Sequence, residues 1–365
     1  MDISKFKIIN LSKGTTKPIF RENRNGKWVD YGKDNVYPQY LLDVYHNRSN
    51  KHKAIINKKV DMATGNGVEE ILNPSPEYKV FMDNIFGQHN VEEIMQKCNY
   101  DLEIYNGFAV ECVWSTDGSR IAKINYLPFE KIRLATDCEM DGYYISADWS
   151  QYRKQGNEPI FVPKLDTRIT KEEPRQIFYY TADQPGKEWY PIPYYSSTLT
   201  WIESDWEISN FHYNSLINGF SAGFILNFST GIPTMEEMER AQKEFERNFT
   251  GTDNANKFIL TFSNGQDGVP TLLPIELNAS DERFIILHKE IKEEIFTGHS
   301  VTSPMLFGIR AEGQLGGRNE LQEALEIFQA TYINQRQKVL QNQFNKLAKL
   351  SGVLVDKIVL NKYII

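Results

Sequence analysis

From Arg318 to Leu350 the chain contains neither glycine nor proline, and the next glycine is Gly352. That is long enough for about nine turns of uninterrupted α-helix. Immediately before it, Pro304 to Gly317 reads PMLFGIRAEGQLGG, where Gly308, Gly313, Gly316 and Gly317 leave the backbone free to take several conformations. Before that, Asp281 to Thr297 places Phe284, His288, Ile291 and Ile295 at steps of four, three and four, one face of a helix. Its other face is charged: Lys289, Glu290, Lys292, Glu293 and Glu294. Asp281 stands where a first-turn carboxylate is favoured, and Gly298 follows as a stop. A helix, a glycine-rich loop and a long helix make a lever, and no catalytic residue pattern lies among them.

The rest of the chain reads as α+β. Met1 to Pro38 is a strand-and-turn region with a turn at Asn25-Gly26, and Asn35 to Gly67 is helical, with Tyr40, Leu41, Val44 and Tyr45 as one apolar patch. Tyr78 to Asn106 carries one further helical pattern through Val91, Ile94, Met95 and Leu102. Strands follow at Phe108–Trp114 and Ala122–Leu127 across an Asp117-Gly118 turn, and Tyr143 to Tyr180 is aromatic, β-rich and broken by prolines. Thr198 to Ile217 forms a long helix. Between it and the helix from Asp281 lie a strand at Phe224–Phe228, a helix from Met235 to Phe249, and strands at Phe258–Phe262 and Thr271–Leu277. Thr234 and Glu237 form a T-x-x-E capping box for the middle helix.

Composition narrows the classes. The 365 residues are 41% hydrophobic and 24% charged, a soluble folded composition. No apolar run approaches the roughly 18 residues of a membrane span, and MDISKFKII lacks a secretory signal's apolar core. Cytosolic synthesis is expected. Cys98, Cys112 and Cys138 form no CxxC pair, so neither a disulfide framework nor a zinc site is indicated, and Cys112 reads as core.

Candidate chemistry is sparse. Gly313 to Gly317 lacks the Gly-Lys-Ser/Thr ending of a P-loop and follows a helix rather than a strand, which disfavours an ATPase. Gly65 and Gly67 read as a helix-ending turn. The histidines at 46, 52, 89, 212, 288 and 299 contain no H-E-x-x-H, and His288 on an apolar face reads as packed or interfacial. Glu293 and Glu294 point apart on a helix, too divergent for a shared acid and base. Glu236, Glu237 and Glu239 read as a solvated first turn, and Trp201 and Trp206 as core or subunit contacts. No catalytic residue, metal ligand or cofactor site is expected.

The segments ERFIILHKEIKEEIFTGHSVTSPMLFGI, INGFSAGFILNF (Ile217 to Phe228), NFTGTDNANKFIL (Asn248 to Leu260) and YNGFAVECVWSTDGSRIAKINYLPFEKIRL (Tyr105 to Leu134) resemble, in that specific order, the portal proteins of tailed bacteriophages. Pro304 with Gly308, the Asn319-Glu320 pair and Gly107 stand where that family has them, whereas the proline that relatives often carry inside the long helix is replaced by the stretch Ile333, Asn334, Gln335. The resemblance implies a portal-type α+β fold: a wing over 1–197, stem helices over 198–222 and 279–300, an α/β clip over 223–278, a tunnel loop over 301–317, and a long wing helix with a short C-terminal segment over 318–365.

It also implies a non-enzymatic ring of twelve copies at one capsid vertex of a virion, made in the host bacterial cytoplasm. The implied partners are terminase, the major capsid protein, head-completion or tail adaptor proteins and double-stranded DNA passing through the channel, with no membrane. Ile309, Arg310, Glu312, Gly313, Gln314, Gly316 and Gly317 would face that DNA. Thr252, Asp253, Asn254, Lys257, Gln266 and Asp267, in polar clip loops, would face terminase, and Lys289, Lys292 and Glu293 would line the stem channel. A net charge of −7 argues against a conventional DNA-gripping protein yet suits a conduit that must not trap its cargo. The alternatives are a nucleic-acid-processing enzyme or its regulatory domain, which would need a nucleotide loop or metal-binding carboxylate cluster, and a cellular α+β interaction protein that never closes into a ring.

Overall fold

The computed structural model describes residues 22–136, 140–217, 224–228, 258–262, 271–274, 281–308 and 318–364, with Thr234, Glu236, Glu237, Glu239 and Arg240. The chain divides into two compact units, Met1–Ser197 with Gly298–Ile365, and Thr198–Thr297.

The first unit opens with a hairpin, β1 (Glu22–Asn25) and β2 (Trp28–Tyr31), turned at Gly26, whose φ is 65°. Helices α1 (Tyr37–Asp43), α2 (Asn50–Thr64), α3 (Pro76–Asp83) and α4 (Val91–Tyr105) follow. The helical stretches are more broken than their periodicity implies. A π turn, Val44–Arg48, separates α1 from α2, and Ser49 then turns extended so that its hydroxyl accepts from the His52 amide at 3.4 Å. Tyr78 to Asn106 contains the end of α3 and the whole of α4, which begins where the Asn90 side chain accepts from the Glu93 amide at 2.8 Å. The four apolar residues at helical spacing, Val91, Ile94, Met95 and Leu102, all lie on α4.

Strands β3 (Gly107–Trp114), β4 (Ile121–Leu127) and β8 (Arg175–Thr181) form an antiparallel sheet with β3 in the middle. A second antiparallel sheet runs β5 (Ile132–Leu134), β6 (Gly142–Ile145), β7 (Ile160–Pro163). The period of two along β3 sorts its side chains. Phe108, Val110 and Cys112 join the main core with Ile94, Met95, Cys98 and Leu102 of α4, while Ala109 faces Ile132, Tyr143, Val162 and Ile177. The long C-terminal helix closes that core. It comprises α7 (Arg318–Phe328), a π turn over Gln329–Ile333, and α8 (Asn334–Leu350), which brings Leu340, Phe344 and Leu347 to full burial. Burial of each such side chain is worth about 1.5–3 kcal/mol, far more than helix propensity supplies, so packing decides that this helix forms.

Arg133 shows how the second sheet is tied in. It is fully buried, yet its guanidinium donates to the Asn35 side chain, to the carbonyls of Glu130 (3.0 Å), Ile132 (2.7 Å) and Asn35 (2.7 Å), and lies 4.8 Å from the Trp149 ring centroid. Burial pulls its pKa down to about 10. A planar fork with five donors satisfies this arrangement, whereas a lysine ammonium could not.

The second unit is described by itself. Helices α5 (Leu199–Ile217) and α6 (Asp281–Gly298) flank a three-stranded sheet with β9 (Phe224–Phe228) between β10 (Phe258–Phe262), parallel, and β11 (Thr271–Pro274), antiparallel. A parallel pair needs a crossover connection, and the capping box opens one here. The Thr234 amide and hydroxyl both donate to Glu237 Oε2 at 2.9 Å, and the Glu237 amide returns to Thr234 Oγ1 at 3.4 Å.

At the α4–β3 junction Asn106 takes a left-handed φ of 66° and Gly107 passes so close to β8 that an added Cβ would lie 2.8 Å from the Tyr180 carbonyl oxygen and 3.0 Å from the Phe129 ring. Gly107→Ala is therefore expected to destabilise the first unit by about 1–3 kcal/mol through overpacking. Urea unfolding measures this directly, and an unchanged midpoint would show that β8 yields freely.

Candidate functional site

On α6 the expected two-faced pattern is present: Ile291 and Ile295 are fully buried, His288 is half-buried, and Glu290 and Glu294 are exposed. Of the three charged residues expected along a channel, Lys289 and Glu293 are exposed and Lys292 is half-buried. His288 stacks on His212 of α5, ring centroids 5.9 Å apart and planes within 13°. The loop residues Ile309, Arg310, Glu312, Gly313, Gln314, Gly316 and Gly317 lie outside the described residues. So do the clip residues Thr252, Asp253, Asn254, Lys257, Gln266 and Asp267, and Cys138.

Both ends of the glycine-rich loop are anchored. Pro304–Phe307 forms a single 3₁₀ turn that buries Leu306 and Phe307 and stops at Gly308, whose φ is 77°. Phe307 meets Phe328 edge-on at 5.6 Å, and Phe328 stacks on Tyr332 at 5.4 Å. The last contact bridges the π turn. A π turn carries one residue more than α-helical geometry allows, so it is a place where a long helix changes direction without proline. It falls directly before Asn334 and Gln335, ending at Ile333, the stretch where relatives of the resembled family often carry proline.

Tyr332 leads into a polar cluster that no sequence motif announced. Its hydroxyl donates to Glu103 Oε2 at 2.5 Å, and Arg336 Nε lies 3.0 Å from Glu103 Oε1 while donating to the Tyr332 oxygen at 3.3 Å. The Lys59 ammonium sits 4.0 Å from the Tyr332 ring centroid. Beyond it, His52 Nδ1 and His299 Nε2 are 2.9 Å apart, and both rings pack against Tyr195. A cavity of about 120 Å³ lies among Lys59, Glu103, Tyr194, Tyr195, Gly298, His299, Ser300 and Tyr332. These residues come from positions more than two hundred apart in sequence, a separation across which spacing carries no signal.

Burial governs the charges here. It lowers the Lys59 pKa to about 8, with Glu103 opposing and Arg336 reinforcing the shift. For Arg336 burial is overcome by Glu103, and the guanidinium is held more firmly protonated than usual. Burial and the Lys59 charge bring His52 down to about 3 and His299 well below its ordinary value, so both imidazoles are neutral near pH 7. Such a cluster makes a rigid, charged joint. It contains no nucleophile activated by a neighbouring base, and among the described residues no group of three His, Cys, Asp or Glu gathers to hold a metal ion. Among those residues, too, no helix is long and apolar enough to cross a membrane.

No protein-family model and no curated protein matches the chain. Solved structures do match it. A chain from the neck of an empty gene transfer agent particle, computed with C6 symmetry, aligns over 96% of this chain and 86% of its own with a TM-score of 0.57 at 13% identity. A neck chain of the native particle, computed with C12 symmetry, aligns over 88% and 82% at TM-score 0.55 and 15% identity. An HK97 family phage portal protein from Corynebacterium diphtheriae aligns over 90% and 95% at TM-score 0.51 and 9% identity. Identities this low establish likeness of fold, and the likeness spans both compact units. The chain has the portal-type α+β fold that the sequence resemblance implied.

The two histidines give the joint an acid limit. Their pKa values are depressed relative to the unfolded chain, so the stability they permit is present above about pH 6.5 and is lost as pH falls towards about 3. By pH 5 His52 alone costs about 2 kcal/mol. Urea unfolding between pH 7 and 5 should therefore lose about one proton of pH slope in His52→Asn. A slope unchanged by the substitution would mean that His52 titrates normally in the fold.

Proposed function

We propose that this chain is a viral portal subunit, a non-enzymatic protein that forms a ring at one capsid vertex through which double-stranded DNA is packaged, retained and ejected. The observation that carries this reading is the fold likeness over nearly the whole of this chain and most of each neighbour, including a phage portal protein and neck chains of gene transfer agent particles. The reading also accounts for features of the chain itself. Two helices flanking a small α/β sheet form a unit of their own, as a stem and clip require, and α6 keeps a charged face next to a buried apolar stripe. A heterologous interface repeated around a closed ring can bury apolar surface of that kind.

In this reading 1–197 and 318–365 form the wing, 198–222 and 279–300 the stem, 223–278 the clip and 301–317 the tunnel loop. Lys289, Lys292 and Glu293 line the stem, Arg310 and Gln314 stand nearest the DNA, and Asp253 and Lys257 belong to the surface that meets terminase. The C12 symmetry of a neighbour's neck supports twelve copies. The major capsid protein and head-completion or tail adaptor proteins are the remaining partners, the virion is the site of action, and the host bacterial cytoplasm is the site of synthesis.

Twelve chains of 42.3 kDa make a complex of about 500 kDa. Electron micrographs of the purified chain, with scaffold and capsid protein added where needed, should show rings with a central channel. Monomer alone across concentration and salt would sink the proposal.

Packaging assays test the finer assignments. Shortening 309–317 should preserve ring assembly and impair packaging or DNA retention. Reversing the charges at Asp253 and Lys257 should weaken motor docking in rings that still form. Parental packaging by either variant would remove that loop from its assigned role.

A further inference from the structure

The buried cluster of the first unit is not electrically balanced. Lys59, Glu103 and Arg336 are 2%, 3% and 5% exposed, so two cations face one carboxylate. That carboxylate accepts from the Tyr332 hydroxyl at 2.5 Å through Oε2 and is ion-paired with Arg336 at 3.0 Å through Oε1, which has no hydrogen-bond partner. Among the described residues Glu103 is the only acid whose charge reaches Lys59, and the two histidines beyond it are neutral. The ammonium rests against the Tyr332 ring face, which satisfies none of its three N–H donors with an oxygen. An uncompensated buried charge of this kind is costly unless something pairs with it.

The space beside it has the right properties for a partner. The cavity of about 120 Å³ exceeds the roughly 30 Å³ that one water occupies in the liquid, so it has room for an ion with part of its hydration shell. His299 lines it, and the tautomer of that ring follows from its neighbour His52. His52 Nε2 is buried with no hydrogen-bond partner, and an orphaned N–H costs more than an orphaned lone pair, so the proton of His52 belongs on Nδ1. There it donates to His299 Nε2, which fixes the hydrogen of His299 on Nδ1, the nitrogen not used in the pair.

We propose that this cavity is a binding site for one small inorganic monoanion, a halide or nitrate, held by the Lys59 ammonium with His299 and Tyr195 as its walls. A volume of about 120 Å³ suits a small ion, the charged group it meets is 2% exposed, and Tyr194, 50% exposed, stands at the cavity's solvent side where an ion can enter. The site would do more than neutralise charge. Tyr194 and Tyr195 stand just before the chain leaves the first unit at Ser197, and Gly298, His299 and Ser300 are the first residues after it returns. An ion here would hold both crossing points against α2 and α4, making the stiffness of that junction dependent on the anion. The inference stands on the first unit's own side chains and does not require the portal reading.

Crystals of the full chain soaked in sodium bromide test the site directly, since an anomalous peak in the cavity near Lys59 Nζ is expected. In solution, thermal unfolding at constant ionic strength should show a saturable stabilisation by chloride, bromide or nitrate that gluconate, too bulky for the cavity, does not give. The difference should vanish in Lys59→Met, or in Lys59→Gln should the first variant fail to fold. Because Lys59 must be protonated to bind, anion affinity should fall about tenfold per pH unit once pH exceeds the lysine's pKa in the free site. Glu103, Arg336, Tyr332, Tyr194, Tyr195, His52 and His299 are the other titratable groups facing it, and burial brings the Lys59 pKa down to about 8. An empty cavity in bromide, or a halide effect that is equal in gluconate or survives in both lysine variants, would overturn the proposal.

Discussion

The buried carboxylate of Glu103 holds the first unit in register. It lies on α4, the helix at the centre of the main core, and receives Tyr332 from the π turn and Arg336 from the start of α8. Downstream on that same helix, Leu340, Phe344 and Leu347 enter the core beside Phe108. Apolar packing alone would tolerate a helix sliding by a turn. An ion pair removed from water does not, since losing one partner of a buried pair costs about 3–5 kcal/mol. Hydrophobic burial thus supplies the energy that holds the C-terminal helix down, and Glu103 selects where along its length it sits.

The π turn is what makes that selection possible. With regular α-helical geometry from Arg318 onwards, the phase between Phe328 and Arg336 would differ, and the aromatic contact to Phe307 and the ion pair to Glu103 would not both be reached. The inserted turn reconciles them. Phe307, Phe328 and Tyr332 form an unbroken series of ring contacts from the anchored end of the glycine-rich loop to the carboxylate on α4. The loop is consequently mounted on the most firmly specified part of the molecule.

Local signals made much of this legible in the sequence. The strands at Phe224–Phe228 and Phe258–Phe262, the capping box at Thr234 and Glu237, and the buried stripe through Ile291 and Ile295 each depend on residues within a few positions of one another. The apolar spacing through Val91, Ile94, Met95 and Leu102 marked α4, whose start is fixed by the Asn90 cap. The π turn was hidden, since one extra residue per turn leaves no compositional trace in a run free of glycine and proline. Least legible was the polar joint. Lys59, Glu103, His299 and Arg336 look like ordinary surface residues in sequence and become a cluster only because α2, α4 and α8 converge. The residues assigned to the channel and clip were read from family resemblance, and of these only the α6 trio falls within the described structure.

Charge links the sequence to the portal reading in a way the fold alone does not. A protein that clamps duplex DNA gains affinity by releasing counterions from phosphates, so its grip depends steeply on salt. The exposed face of α6 alternates Lys289 with Glu290, Glu293 and Glu294, so any phosphate attracted to the lysine meets carboxylates within a turn. Across the whole chain the balance is −7. Repeated around a ring, such a surface would repel the backbone at long range and offer it only brief contacts at short range. Salt would weaken both terms together, because each is a screened interaction between exposed charges. On the portal reading, that leaves no strong electrostatic grip on the duplex at any salt, as a conduit requires.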